Sequence, residues 1–132
     1  MRYLLDTDTC IYIAKDKPPQ VLARLTRLRE GDVGMSVITY AELSYGASKS
    51  RQVEANWKRI DRLASLVPVL PLGAGAARHY GALRYHLERR GSPIGAHDLL
   101  IAAHALDLNL TLVTNNTREF TRVEGLRIEN WV

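Results

Sequence analysis

With 132 residues, 46% of them apolar, the chain is long enough to bury a true core and too apolar to be disordered. Its one cysteine, Cys10, excludes an internal disulfide and fits a reducing compartment. No apolar run approaches the roughly 20 residues that span a bilayer, so a cytoplasmic protein without membrane attachment is expected. The net charge of +4 leans toward an anionic partner such as nucleic acid, although solubility alone accounts for a charge of this size.

No repeat, low-complexity tract or linker interrupts the chain, and residues 1–132 read as a single domain. Arg2–Asp6 has the apolar run of a buried strand, and Thr7 or Asp8 is placed to cap a short helix over Thr9–Lys15. Pro18-Pro19 opens a helix reaching about Arg29, and Gly31-Asp32 turns into a strand over Val33–Ser36. Helical periodicity then covers Ile38–Ser48 and Gln52–Ser65, the second with Trp57, Ile60, Leu63 and Ala64 on one face. Val67–Leu72 is strand-like, but Pro68 and Pro71 confine it to an edge. A helix over Ala74–Arg90 is closed by Gly91. The apolar helix His97–Leu108 leads into a strand at Leu110–Thr114, and Leu126–Trp131 supplies a last short strand.

Strands alternating with helices imply an α/β fold with a mostly parallel sheet and right-handed crossovers. In that topology a residue that ends a strand and a residue that opens a crossover helix share the C-terminal edge of the sheet, where open α/β sheets place ligands. Asp6 ends the first strand, and Glu42 lies in the early turns of the helix after the second. Asp98 opens the helix before the fourth strand, and Thr114-Asn115-Asn116 leaves that strand. Three carboxylates gathered on one edge repel one another unless a cation joins them, and oxygen ligands suit magnesium or manganese. Such a centre activates water and offsets charge on a phosphoryl group, so metal-assisted hydrolysis of a phosphodiester or a phosphomonoester is expected.

Asp6-Thr7-Asp8-Thr9 after an apolar strand also matches the opening motif of haloacid-dehalogenase-type phosphatases, with Asp6 as nucleophile and Asp8 as general acid. That scheme has no use for Glu42 and Asp98, and Asp8 reads more simply as a cap or turn residue. His79 and His86 are seven apart, as are His97 and His104, so no pair has the spacing of a helical zinc site. His104, in an apolar helix, reads as a satisfied core residue; His97 is either beside the site or simply a polar first-turn residue. Gly73-Ala74-Gly75 lacks the third glycine of a dinucleotide loop and reads as a helix entry. Trp57, Trp131 and the tyrosines read as packing residues. Most arginines belong to solvated faces, with Arg89-Arg90 and Arg118-Arg122 the best placed for phosphate.

Four stretches stand in fixed order along the chain: Leu5–Thr9, Ser36–Ala47 with Lys49-Ser50, Gly91–Ala103, and Leu112–Phe120 with Gly125–Trp131. Together they resemble the PIN domain family, and within it the VapC toxins of bacterial VapBC toxin–antitoxin systems. The resemblance covers essentially the whole chain and implies a three-layer α/β/α sandwich and a magnesium- or manganese-dependent endoribonuclease. It carries the metal-ligating acids over as Asp6, Glu42 and Asp98. The fourth catalytic position, often aspartate, falls on Asn116, a weaker neutral ligand, and Glu119 lies near that loop as a supporting acid. Asp8 stands where the family often has asparagine. Thr7 and Thr114 are implied to be hydroxyls that orient water or phosphate; Arg89 and Arg118 stay the substrate contacts expected from the arginine pattern itself. The resemblance further implies a homodimer held inactive by a cognate VapB-type antitoxin, contact with DNA only through that antitoxin, and an RNA substrate. In the branch most resembled, that substrate includes initiator tRNA cut in the anticodon region. The rival reading is a non-catalytic PIN scaffold that binds RNA or a partner.

Overall fold

A computed structural model describes residues 1–132. Its strands are β1 (Tyr3–Leu5), β2 (Val33–Ser36), β3 (Val69–Leu70), β4 (Thr111–Val113) and β5 (Ile128–Glu129). Seven helices connect and flank them: α1 (Thr7–Ala14), α2 (Pro19–Thr26), α3 (Val37–Ser48), α4 (Val53–Leu66), α5 (Ala74–Arg89), α6 (Ala96–Leu108) and α7 (Thr117–Phe120). The strands form one sheet in the order β3-β2-β1-β4-β5, and every pairing is parallel. The central strand β1 sets Leu5 beside Met35 on one side and Val113 on the other.

The two faces of the sheet follow from the period of two along each strand. Tyr3, Leu5, Val33, Met35 and Val113 pack with Cys10 and Ile13 of α1, Val21 of α2 and Leu63 of α4. Leu4 and Leu112 point the opposite way, onto Leu87 of α5, Leu99, Ile101, Ala102 and Ala105 of α6, and Phe120 of α7. Strands covered on both faces explain why these segments read as unbroken apolar runs. The result is the three-layer α/β/α sandwich, its sheet wholly parallel where a mostly parallel one is expected.

Edges differ from the sequence reading in ways the local chemistry explains. The edge strand β3 shrinks to two residues because Pro68 and Pro71 bracket it and neither can donate to the ladder. Helix α2 stops at Thr26, three residues short of the expected Arg29. Helix α7 carries no helical period, being four residues long, and is pinned by the buried Phe120. The Gly73–Gly75 entry to α5 has a packing reason: a Cβ on Gly75 would sit 2.1 Å from Asp107 Oδ1 near the end of α6. Helices α5 and α6 therefore lie side by side, antiparallel, with the close approach at one end. No helix is long and apolar enough to cross a membrane.

The cap of α1 is Asp6, not Thr7 or Asp8. Strand β1 ends at Leu5, and Asp6 holds extended backbone (φ −74°, ψ 176°) while its amide donates to the Val113 carbonyl at 3.0 Å. This turns its carboxylate onto the first helical turn, where Oδ1 accepts from the Thr9 amide at 2.9 Å. Asp8 is left exposed on the helix, without a hydrogen-bond partner for its side chain.

Candidate active site

The C-terminal edge of the sheet gathers acids from four separate segments. Asp6 contributes from the end of β1 and is only 4% exposed. Burial raises its carboxyl pKa, against the opposing pull of the Thr114 hydroxyl and the Thr9 amide, which favour the charged form. Thr9 Oγ1 in turn donates to the Val113 carbonyl at 3.3 Å, tying the first turn of α1 to β4.

Glu42 comes from the second turn of α3, whose N-terminus is capped by Ser36: its Oγ accepts from the Ile38 amide at 3.1 Å. Thr7 Oγ1 lies 3.0 Å from Glu42 Oε1, to which it donates, and 3.2 Å from Thr39 Oγ1. Glu42 Oε2 faces His97 Nδ1 at 3.8 Å. Thr39, buried one turn before Glu42 on the same helix, is a site neighbour that the sequence reading misses. The i, i+3 spacing from Glu42 is the signal that would have found it.

Asp98 opens α6 and meets Glu119 of α7. Burial, then the neighbouring Glu119 carboxylate, then Glu42 and Asp6 push the Asp98 carboxyl up to about 6. Glu119 is fixed from two directions: Oε1 accepts from the Gly95 amide at 3.1 Å, and Oε2 accepts from Asn116 Nδ2 at 3.1 Å. The Asn116 amide donates to Thr114 Oγ1 at 2.9 Å. Asn116 thus holds Glu119 in place, and Glu119, expected only as a nearby supporting acid, is the carboxylate that stands against Asp98.

The local charge has no resident counterion. None of Asp6, Asp98 and Glu119 pairs with a lysine or arginine, and Glu42 has only the His97 ring, at 3.8 Å, beside it. As they stand, no three acid, histidine or cysteine side chains converge as a closed set of ligands to one ion. The donors are all carboxylate oxygens, and magnesium characteristically keeps several waters while touching only one or two carboxylates. Two carboxylates in mutual repulsion, with two more within electrostatic reach, fit that mode of binding.

Two expected substrate contacts stay outside this cluster. Arg89, in the last turn of α5, donates to Tyr85 Oη at 3.0 Å and lies over that ring. Arg118 is exposed on α7 and its guanidinium makes no hydrogen bond. His104 departs from the satisfied core residue expected: Nδ1 meets Ser36 Oγ at 2.8 Å, while the buried Nε2 has no partner. Burial lowers its pKa, against the opposing pull of the Pro71 carbonyl and of Asp107.

The comparisons with known proteins agree with this geometry. The family model described as "PIN domain" matches residues 3–126. The tRNA(fMet)-specific endonuclease VapC of Shigella flexneri is 45% identical, over 99% of this chain and 98% of the relative. Ribonuclease VapC2 of Rickettsia felis is 42% identical, with the same coverage. Among solved structures, VapBC2 of Rickettsia felis bound to a promoter DNA fragment superposes with a TM-score of 0.94 at 41% identity, over all of both chains. VapBC-1 of nontypeable Haemophilus influenzae gives 0.91 at 41% identity, over 99% of this chain and 98% of that one. These likenesses leave no role for the phosphatase reading of Asp6 and Asp8. A parallel α/β/α sandwich, an acid-lined sheet edge and full-length identity of this order place the chain in the PIN domain family, among its VapC ribonucleases.

Proposed function

We propose that this ribonuclease is a magnesium- or manganese-dependent endonuclease and the toxin of a toxin–antitoxin pair, hydrolysing a phosphodiester of tRNA in the anticodon region and so blocking translation. The observation that carries the reading is the set of four carboxylates, Asp6, Glu42, Asp98 and Glu119, drawn to one sheet edge with no lysine or arginine to neutralise them. A binding scaffold gains nothing from bearing that repulsion, whereas a hydrolase uses it to bind a cation.

Asp6, Glu42 and Asp98 are the residues to hold the ion, with Glu119 beside Asp98. When bound, the ion supplies Lewis acidity, lowering the pKa of a water and offsetting charge on the phosphate. The rest of the task falls to the chain. The Thr9 amide and the Thr114 hydroxyl keep Asp6 in one orientation. Asn116 and the Gly95 amide keep Glu119 turned toward Asp98. Asp98 and Glu119 offer acceptor oxygens to orient a water for in-line attack. The Thr7 hydroxyl, engaged with Glu42, and the Arg118 guanidinium, free on α7, are available to a phosphate.

The likeness to VapBC assemblies, two of them DNA-bound, supports a cognate VapB-type antitoxin as partner, and the reading adds a homodimer that meets DNA through that antitoxin. The name of the Shigella relative supports initiator tRNA as the substrate. Incubation of the purified chain with initiator tRNA, with magnesium or with chelator, tests the reading. One cut in the anticodon region that chelator abolishes, absent from Asp6→Asn and Asp98→Asn, is the expected result. Tight RNA binding with no cleavage in magnesium, or in manganese supplied in its place, would favour the non-catalytic scaffold.

A further inference from the structure

Beside the acids, a groove of about 500 Å³ runs between α1, α3 and α4. Thr7, the exposed Asp8 and Glu42 line its acidic mouth, so it is continuous with the candidate active site. Farther along, its walls carry Lys15 at the end of α1, Lys49 at the end of α3 and Arg59 of α4. None of these three cations is paired with a carboxylate; Arg59 donates only to Asn56 Oδ1, at 3.0 Å. Tyr45, also lining the groove, is 66% exposed, and Lys49 Nζ lies 4.7 Å from its ring centroid.

We propose that this groove is the track for the RNA strand on one side of the scissile phosphate, with Lys15, Lys49 and Arg59 taking successive phosphates and Tyr45 stacking a base. The inference deepens the ribonuclease reading and rests on it. The charge pattern carries the argument. The mouth is acidic and suits a phosphate only with a cation between them, whereas the groove beyond is basic and suits phosphates directly. A polyanion with one phosphate at the acids and its neighbours in the groove meets both requirements. An exposed tyrosine in a basic channel is the element that single-stranded binders use, because every base has a face to stack. Folded loops of RNA present such unstacked bases; a duplex does not.

The experiment measures binding of a fluorescein-labelled RNA hairpin, the anticodon stem and loop of initiator tRNA, by anisotropy on the full-length Asp98→Asn protein. Cleavage of the same hairpin by the unaltered chain is measured alongside. Lys49→Ala with Arg59→Ala is expected to weaken binding about 10-fold or more and to flatten the slope of log affinity against log salt by about 1.4, two single-strand phosphates at about 0.7 each. Tyr45→Ala is expected to cost about 10-fold, and Tyr45→Phe to restore it, since the ring and not the hydroxyl stacks. Removing equal charge elsewhere, with Arg29→Ala and Arg78→Ala, is expected to change affinity by no more than about two-fold, as screened charges off the path do. Thermal melts confirm that each variant folds. Unchanged affinity and slope in the groove variants would overturn the proposal; if the same variants, tested by co-purification with a co-expressed cognate antitoxin, also lose that partner, the groove belongs to a protein instead. An unaltered chain that neither cuts nor binds the hairpin would overturn the ribonuclease reading beneath it.

Discussion

Asp6 and Asp98 are both aspartates at the C-terminal edge of one sheet, and burial raises both their pKa values, but their surroundings differ in kind. Asp6 is set among donors: the Thr9 amide and the Thr114 hydroxyl favour its charged form. It also caps α1, so it has work in the fold as well as at the site. Asp98 is set among acceptors, with Glu119, Glu42 and Asp6 all opposing its charge. A carboxylate held by donors is a fixed ligand, while one held against other carboxylates is destabilising until a cation arrives. Substitutions at the two positions should therefore separate structure from chemistry.

The largest expected effect is on catalysis. Asp98→Asn should lower cleavage by about 1000-fold, the scale of the several kcal/mol that an ion contributes to charge stabilisation. In chelator the same variant should melt no lower than the unaltered protein. Cleavage assays and melts on one preparation check both halves, and a large loss of metal-free stability would make Asp98 a structural residue. Next comes the magnesium requirement. Glu119→Gln should raise the concentration for half-maximal cleavage by about 10- to 100-fold, the range for supporting groups around a metal. Asn116→Ala, which removes only the hydrogen bond to Glu119 Oε2, should fall at the low end, about 10-fold. Equal effects of the two substitutions would mean that Asn116 acts in its own right and not through Glu119.

Stability gives smaller effects with definite signs. The Asp98 carboxyl sits at about 6 in the fold against an ordinary 3.8. Between those values the native state binds more protons than the unfolded state, so metal-free stability should fall as pH rises from about 4 to 6 and stay low above that. Asp98→Asn should flatten part of this slope, gaining about 1 kcal/mol at pH 7 and nothing below pH 4, as read from denaturant melts in chelator. At Asp6 the informative pair is Ala against Asn: losing the bond to the Thr9 amide should leave Asp6→Ala about 1 kcal/mol less stable than Asp6→Asn, whose side-chain oxygen still caps α1. Equal stability of that pair would remove the capping role and, with it, half of the contrast with Asp98.

The legible and illegible parts of the chain divide by range. The apolar runs at Tyr3–Leu5 and Val33–Ser36 announced buried parallel strands because both faces of the sheet are covered, and the prolines around Val69–Leu70 announced an edge. Helix α7 went unseen because four residues carry no period and its anchor, Phe120, is a tertiary contact. Thr7 and Asp8 are both good caps for α1 in isolation; the register of β1 against β4 is what delivers Asp6 instead. Periodicity places His104 in the core, but only the tertiary structure leaves one of its ring nitrogens without a partner.

The site shows the same division. Asp6, Glu42 and Asp98 could be brought to one edge from the sequence because strand ends and helix starts share that edge in any parallel α/β sheet. That rule depends only on the order of elements, which local periodicity and turn residues encode. Which carboxylate stands against Asp98, and what holds it there, depends on α7 and on the Gly95 and Asn116 contacts. Those contacts span positions 3 and 24 residues apart, and the longer one bridges the whole of α6 and β4, beyond the reach of any local pattern. A chemistry of acids was therefore written locally. The coupling of Asp98 to Glu119, which raises the one and orients the other, exists only once packing has brought α6 and α7 together.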